Sequence, residues 1–117
     1  MTVCPDRPRP LVLTFVVTRG TDCEPQVDRV ERVRRQVPEV DFVTVVSGDS
    51  KEETQSLARQ RGWGQPVAVD EDGSVVNLYG IGICPVMVFA RDGRVRETNL
   101  GNLTEDELRR RAERLAG

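Results

Sequence analysis

The stretch YGIGICPVMVFARDGRV, from Tyr79 to Val95, places a cysteine directly before a proline and an apolar run. CPVMVFA has the composition of a buried strand, and the Asp92-Gly93 pair that follows it is a strong signal for a tight antiparallel hairpin. RVRETN provides the second strand. The stretch therefore predicts a β-hairpin whose first strand begins at Cys84.

Upstream of the hairpin, apolar runs alternate with amphipathic segments. PLVLTFVV and VDFVTVVSGD are typical of buried strands. The valines between these runs recur at helical spacing: Val27, Val30, Val33 and Val37. Asp22 is the expected N-cap and Pro38 ends the pattern, so Cys23 lies at a helix N-terminus directly after a strand. This alternation predicts parallel strands joined by right-handed crossovers.

Two more helices follow from capping signals. SKEETQSLARQRGWG predicts a helix that opens with a capping box of Ser50 and Glu53 and ends at Gly62. LTEDELRRRAERLAG predicts the last helix, with Thr104 and Glu107 as its capping box. Between them, QPVAVDEDG reads as a short extended piece followed by a turn at DEDG, which begins at Asp70, and SVVNLYG as a short helix. The apolar residues of the last helix share one face: Leu108, Ala112 and Leu115.

Size and charge limit the possible partners. The 117 residues fit one domain, which we expect at 10–117 behind a flexible lead at 1–9. The 17 basic and 19 acidic residues are interspersed, which argues against nucleic acid or an anionic membrane as partner. No stretch approaches the roughly 20 apolar residues of a membrane span, and the first residues have no signal-peptide core. We therefore expect a cytoplasmic protein.

The inventory of reactive side chains is short. Without histidine, Ser/His/Asp and Cys/His catalysis and the commonest zinc ligand are removed, and we expect neither a metal nor a cofactor. Three cysteines is an odd number, which excludes a fully paired disulfide framework within one chain. Cys4 lies in the proline-rich lead, either as a bystander or as a mobile resolving thiol. Cys23 and Cys84 could each be core residues or reactive thiols.

The order of elements resembles the thioredoxin fold, and more closely its TlpA-like and redoxin (AhpC/TSA-related) branch. LVLTFVVTRGTDCEPQVDRV matches the first strand and active-site helix of that family, and YGIGICPVMVFARDGRV is similar to its cis-proline segment and final hairpin. The resemblance covers nearly the whole chain from Pro10. It implies an α/β fold with a central mixed β-sheet and helices on both faces, ordered β-α-β-α-β-β-α with an extra strand and helix.

The resemblance also implies a chemistry. The four residues GTDC match the family's two-cysteine motif, with Gly20 at the position of the first cysteine and Cys23 at that of the second, normally more buried one. Pro85 matches the cis proline, which implies that Cys84 lies opposite Cys23. The implied function is thiol-disulfide exchange through these two cysteines, on a protein or low-molecular-weight thiol or disulfide, by a monomer or weak homodimer. Residues expected beside the substrate are Ile83, Pro85, Gly20, Thr21 and Asp22.

Two other functions remain open from the sequence. The loss of the first cysteine is what a catalytically degenerate binding module predicts, whose groove beside the cis proline would accept an extended peptide. A thiol peroxidase is the other alternative, raised by Thr18 and Thr21, because peroxiredoxins place a hydroxyl three residues before their reactive cysteine. Here Gly20 holds that position, and Thr21 lies one residue closer to Cys23.

Overall fold

The structure is a computed structural model that describes residues 9–17, 23–70 and 84–117. The lead at 1–8 and the predicted short helix SVVNLYG lie outside these ranges. The described elements, in chain order, are β1 (Leu11–Val17), α1 (Glu24–Arg34), β2 (Asp41–Ser47), α2 (Lys51–Arg61), β3 (Val67–Asp70), β4 (Val86–Arg91), β5 (Arg94–Leu100) and α3 (Glu105–Ala116).

The five strands form one mixed sheet in the order β3-β2-β1-β4-β5. β1 pairs in parallel with β2, which pairs in parallel with β3, while β4 runs antiparallel to both β1 and β5. The predicted hairpin is confirmed: Asp92 and Gly93 have φ values of 56° and 74°, the positive values that a two-residue hairpin turn requires. The mixed sheet predicted from the sequence is therefore present, with β1 at its centre.

The three described helices pack against one face of the sheet. That face carries alternate strand residues such as Val12 and Val16 of β1, both fully buried, against Val27 and Val30 of α1. Because β1, β2 and β3 follow one another in the same direction across the sheet, right-handed crossovers place α1 and α2 on the same side. Helices on the opposite face remain a prediction, since the further predicted helix lies outside the described residues.

Two of the predicted helix ends are corrected. α1 begins at Glu24 with Cys23, not Asp22, at the N-cap position, because the Cys23 carbonyl accepts the first helical hydrogen bond from the N–H of Gln26. α1 also ends at Arg34, before Val37, which lies in the turn leading to Pro38. A residue before proline is disfavoured in helical conformation, which accounts for the early end.

The capping predictions for the other helices are confirmed in α2 and half confirmed in α3. In α2, Ser50 and Glu53 exchange both bonds of the box, and Gly62 ends the helix with a left-handed φ of 74°. In α3, the hydroxyl of Thr104 accepts the N–H of Glu107, but the predicted return bond is wrong. The Glu107 carboxylate pairs instead with arginines one turn ahead on the exposed helix face, where charged partners are available: Arg110 and Arg111.

Two carboxylates on α1 hold the chain that leaves α2. Asp28 accepts the indole N–H of Trp63 at 2.7 Å and pairs with Arg61. Burial alone would raise the pKa of Asp28, but these partners lower it below its usual value. Glu31 accepts the main-chain N–H groups of Gly64 at 2.7 Å and Gln65 at 3.1 Å. The segment after α2 is thereby fastened to the helix that begins beside Cys23.

Candidate active site

Cys23 and Cys84 form a disulfide, with their Cα atoms 5.9 Å apart although the two residues are 61 positions apart in the sequence. Topology brings them together. β4 runs antiparallel to β1, and Phe15 near the end of β1 pairs with Val86 at the start of β4. The residue that opens α1 and the residue that precedes β4 therefore meet at the carboxyl end of the central strand. The predicted convergence of the two cysteines is confirmed.

Pro85 directly precedes β4 and determines how the chain enters that strand. The peptide bond between Cys84 and Pro85 is cis. Pro85 is buried, and its carbonyl accepts the N–H of Gly101 at 2.8 Å. The residue after β5 thereby supports the turn that presents Cys84 to the end of β1.

Val17, the last residue of β1, contacts both sulfurs through its main chain. Its N–H donates to the Cys84 Sγ at 3.2 Å. Its carbonyl oxygen lies 3.3 Å from the Cys23 Sγ and 3.8 Å from the Cys84 Sγ. The Val17 N–H thus contacts the Cys84 sulfur, and the Val17 carbonyl lies nearer to the Cys23 sulfur than to the Cys84 sulfur. Val17 is a site residue that was not predicted from the sequence, where the available signal was its position as the last residue of the strand before Cys23.

The two sulfurs differ in their exposure. Cys23 is 1% exposed and belongs to a buried cluster with Val16, Val27, Val46 and Trp63. Cys84 is only partly buried and lies at the margin of that cluster. The disulfide therefore has one sulfur enclosed by the core and one nearer to solvent.

A buried pair of hydrogen-bonded side chains lies at the same end of the strands as the disulfide. The hydroxyl of Ser47, at the end of β2, donates to the Asp70 carboxylate at the end of β3 with a distance of 2.9 Å. Both residues are buried, and Ser47 is the register partner of Val17. Asp70 was predicted to belong to a turn, but the structure places it in β3, where its main chain continues the parallel ladder beside Ser47.

Several predicted site residues lie outside the described ranges: Gly20, Thr21, Asp22 and Ile83, together with Cys4 and Thr18. Their expected roles beside the substrate stay predictions. Within the described residues, no group of three or more cysteine or acidic side chains is placed to hold a metal ion. In the same ranges, each helix falls short of the length and apolar character that a membrane crossing needs.

The sheet order, the position of Cys23 at the N-cap of α1 and the cis peptide before β4 define a thioredoxin-like α/β protein, as solved structures show. The chain superposes on MTB DsbF with a TM-score of 0.79 and 29% identity, over 92% of this chain and 81% of DsbF. A secreted Mycobacterium tuberculosis disulfide oxidoreductase homologous to E. coli DsbE gives 0.78 and 24%, over 91% of this chain and 81% of that one. StoA from Bacillus subtilis gives 0.75 and 18%, over 91% and 84%.

The sequence comparisons give one curated relative. The chain is 24% identical over 100 residues to the thiol-disulfide oxidoreductase ResA of Geobacillus thermodenitrificans, which is 80% of this chain and 58% of ResA. The chain thus matches somewhat more than half of the length of that relative. No protein-family model matches the chain. The predicted thioredoxin-like fold is confirmed by these likenesses.

Proposed function

We propose that the protein catalyses thiol-disulfide exchange through reversible reduction of the Cys23–Cys84 disulfide. The observation that carries the proposal is the pairing of two cysteines, 61 positions apart, at the carboxyl end of the central strand. The likeness to ResA, a thiol-disulfide oxidoreductase, and to a secreted disulfide oxidoreductase supports it. The partly exposed Cys84 gives a substrate thiol access to the bond.

The proposed chemistry needs only the two sulfurs and the substrate. A substrate thiolate attacks one sulfur of the disulfide, the other sulfur leaves as a thiolate, and a mixed disulfide with the substrate results. A second substrate thiolate attacks the substrate sulfur of that mixed disulfide, which releases an oxidised substrate and the protein dithiol. The reverse sequence reduces a substrate disulfide. Two electrons and two protons pass between substrate and protein in either direction.

In the family that the sequence resembles, the two reacting cysteines belong to one short motif. In this protein the two cysteines of the disulfide are 61 positions apart. We propose that Gly20 occupies the position of the first family cysteine, so that the second thiol of the couple comes from Cys84 instead. Substrates would be protein thiols or disulfides, or small thiols, bound beside Pro85. We propose a monomer or weak homodimer and a cytoplasmic location, as expected from the sequence.

The test is turnover of a disulfide substrate by matched variants. The wild type and the Cys4→Ser variant should both accelerate the reduction of insulin by dithiothreitol, while Cys23→Ser and Cys84→Ser should have lost most of that acceleration. Alkylation followed by mass measurement should show two additional modified thiols, Cys23 and Cys84, only after reduction. Equal rates in the Cys84→Ser variant and the wild type would refute the proposal.

The other two functions that the sequence leaves open give different results in these assays. A binding module without catalysis would show no acceleration by any variant, but would retain peptide binding when both cysteines are replaced. A thiol peroxidase would consume hydrogen peroxide and form a sulfenic acid that can be trapped on Cys23. That hypothesis depends on Thr18 and Thr21, which are outside the described residues.

A further inference from the structure

We propose that Cys84 is the cysteine that exchanges with the substrate, and that Cys23 is the buried cysteine that resolves the mixed disulfide. This inference rests on the proposed function and assigns an order to its two sulfurs. Two observations support it: the two cysteines differ in solvent exposure, and the main-chain N–H and carbonyl of Val17 lie close to their sulfurs.

An incoming thiolate must reach a sulfur of the disulfide, and exchange rates depend on which sulfur is accessible. Cys23 is 1% exposed and is enclosed by side chains that include Val27 and Trp63. Cys84 is partly exposed at the edge of the same cluster. The first attack therefore falls on the Cys84 sulfur, and the mixed disulfide forms there.

The Val17 main chain favours a different protonation state at each sulfur. Its N–H donates to the Cys84 Sγ at 3.2 Å, a bond that becomes stronger when that sulfur carries a negative charge. Its carbonyl oxygen lies 3.3 Å from the Cys23 Sγ, where it repels a thiolate and accepts the proton of a thiol. The same oxygen is more distant from the Cys84 Sγ, at 3.8 Å. In the reduced protein, Cys84 is thus favoured as the thiolate and Cys23 as the thiol.

The N-terminus of α1 suits Cys23 to its part in the exchange. When the substrate attacks Cys84, the electron pair of the broken S–S bond goes to the Cys23 sulfur. Cys23 holds the N-cap position of an eleven-residue helix, whose positive end offsets the repulsion from the Val17 carbonyl for as long as that charge exists. The Cys23 sulfur then takes a proton from solvent or the substrate, and the resulting S–H group can donate a hydrogen bond to the Val17 carbonyl. A stabilised leaving sulfur speeds the exchange.

The assignment agrees with the resemblance in one respect and departs from it in another. Cys23 matches the second, more buried cysteine of the family motif, and in the structure it is buried. The exposed cysteine, however, is the one beside Pro85 in the chain and not a neighbour of Cys23. A substrate held beside Pro85 is therefore adjacent to the reacting sulfur itself.

The experiment compares two single-thiol proteins. In a Cys4→Ser background, Cys23→Ser leaves only Cys84 and Cys84→Ser leaves only Cys23. We expect the folded Cys84 protein to react with 5,5′-dithiobis(2-nitrobenzoate) at least about tenfold faster than the folded Cys23 protein, because access governs the rate. In urea the two rates should become equal, which shows that both thiols are intact. A Cys23 protein that reacts as fast as the Cys84 protein would overturn the assignment.

A second measurement uses the Cys4→Ser protein with both other cysteines present, and so does not depend on the folding of the single-thiol variants. The oxidised protein is mixed with limiting glutathione, quenched in acid and digested, and the glutathionylated peptide is identified by mass. Glutathione should be found on the peptide that contains Cys84. Glutathione mainly on Cys23 would contradict the inference.

The two proposals can fail separately. If the protein with both cysteines turns over insulin but carries glutathione on Cys23, the proposed function stands and the order of the sulfurs is wrong. If it does not turn over any disulfide, while lone Cys84 still reacts faster than lone Cys23, the proposed function is wrong and the order of reactivity is correct.

Discussion

The main-chain nitrogen of Gly64 lies 2.7 Å from Oε1 of Glu31, a carboxylate on α1 that is only 7% exposed. Burial by itself raises the pKa of Glu31, but it is outweighed by hydrogen bonds from the side chains of Arg34 and Arg35 and from the N–H groups of Gly64 and Gln65. Together they lower the pKa of this carboxyl from 4.5 to about 2. A charged side chain thus connects α1 to the segment that leads into β3.

Replacement of Glu31 by glutamine should destabilise the protein. The amide is uncharged and has one acceptor oxygen instead of two, so the hydrogen bonds from two arginines and two main-chain N–H groups are weakened or lost. We therefore expect a loss of about 2 kcal/mol near neutral pH. Urea denaturation followed by circular dichroism measures this loss. Glu39→Gln is the matched control, because Glu39 is exposed on the turn before β2, and it should leave the unfolding free energy nearly unchanged. Equal effects of the two substitutions would contradict the role of Glu31.

The difference between wild type and Glu31→Gln should depend on pH. Because the pKa of Glu31 is lower in the folded chain than its ordinary value of 4.5, folding favours the charged form. Its contribution is complete above that value and is lost as pH falls towards about 2. Wild-type stability should therefore approach that of the variant across this range. Asp28 adds a second acid-sensitive contribution, which the two proteins share. A difference that stays constant from neutral to strongly acidic pH would count against this account.

Gly62 should tolerate asparagine better than alanine. Its φ of 74° lies in the left-handed region, and a Cβ at this position would meet nothing within 4 Å, so only the backbone opposes a side chain. We expect Gly62→Ala to cost about 1 kcal/mol. Gly62→Asn should cost less, because asparagine enters this region more readily. Thermal or chemical denaturation of the two variants gives the order, and an alanine variant as stable as wild type would contradict it.

Reduction of the disulfide should lower the stability of the protein. The Cys23–Cys84 bond joins residues that are 61 positions apart, so it closes a large loop and restricts the unfolded chain. The expected loss is about 2–4 kcal/mol. Melting with and without reductant measures it in the wild type and in Cys4→Ser, which should behave alike. In Cys84→Ser, the reductant should have no effect on the melting temperature. Identical melting of the oxidised and reduced wild type would show that the bond does not stabilise the fold.

Trp63 should report the redox state. It is the only tryptophan and shares a buried cluster with Cys23, with Cys84 packed against that cluster. Disulfides quench a neighbouring indole by accepting an electron from its excited state, so fluorescence should increase when Cys23–Cys84 is reduced. The Cys23→Ser variant should show no response to the same reductant. If the emission of the wild type is unchanged while alkylation proves complete reduction, Trp63 does not sense the bond.

Local features were predictable because their causes are local. The capping box of Ser50 and Glu53, the turn at Asp92-Gly93 and the end of α2 at Gly62 each depend on residues within a few positions of one another. The N-cap of α1 was mispredicted, because the choice between Asp22 and Cys23 depends on which carbonyl accepts the first helical bond.

The contacts at the disulfide and at Glu31 were harder to predict. Val17 acts through its main-chain N–H and carbonyl, and a side-chain pattern carries no information about these groups. Glu31 lies among charged residues in an amphipathic helix and resembles any solvated glutamate. It is buried only because the distant segment at Gly64 and Gln65 folds against it. The pairing of Cys23 with Cys84 was accessible from the sequence through the family resemblance alone.

The sequence by itself determined the strands, the helices, the hairpin and most of their ends, since apolar periodicity and capping act between near neighbours. The tertiary structure decided which cysteine is enclosed and which is partly exposed, and it placed the Val17 N–H against the Cys84 sulfur and the Val17 carbonyl nearer to the Cys23 sulfur. Those relationships arise where β1, α1 and β4 meet at one edge of the sheet, so they depend on how packing brings distant residues together.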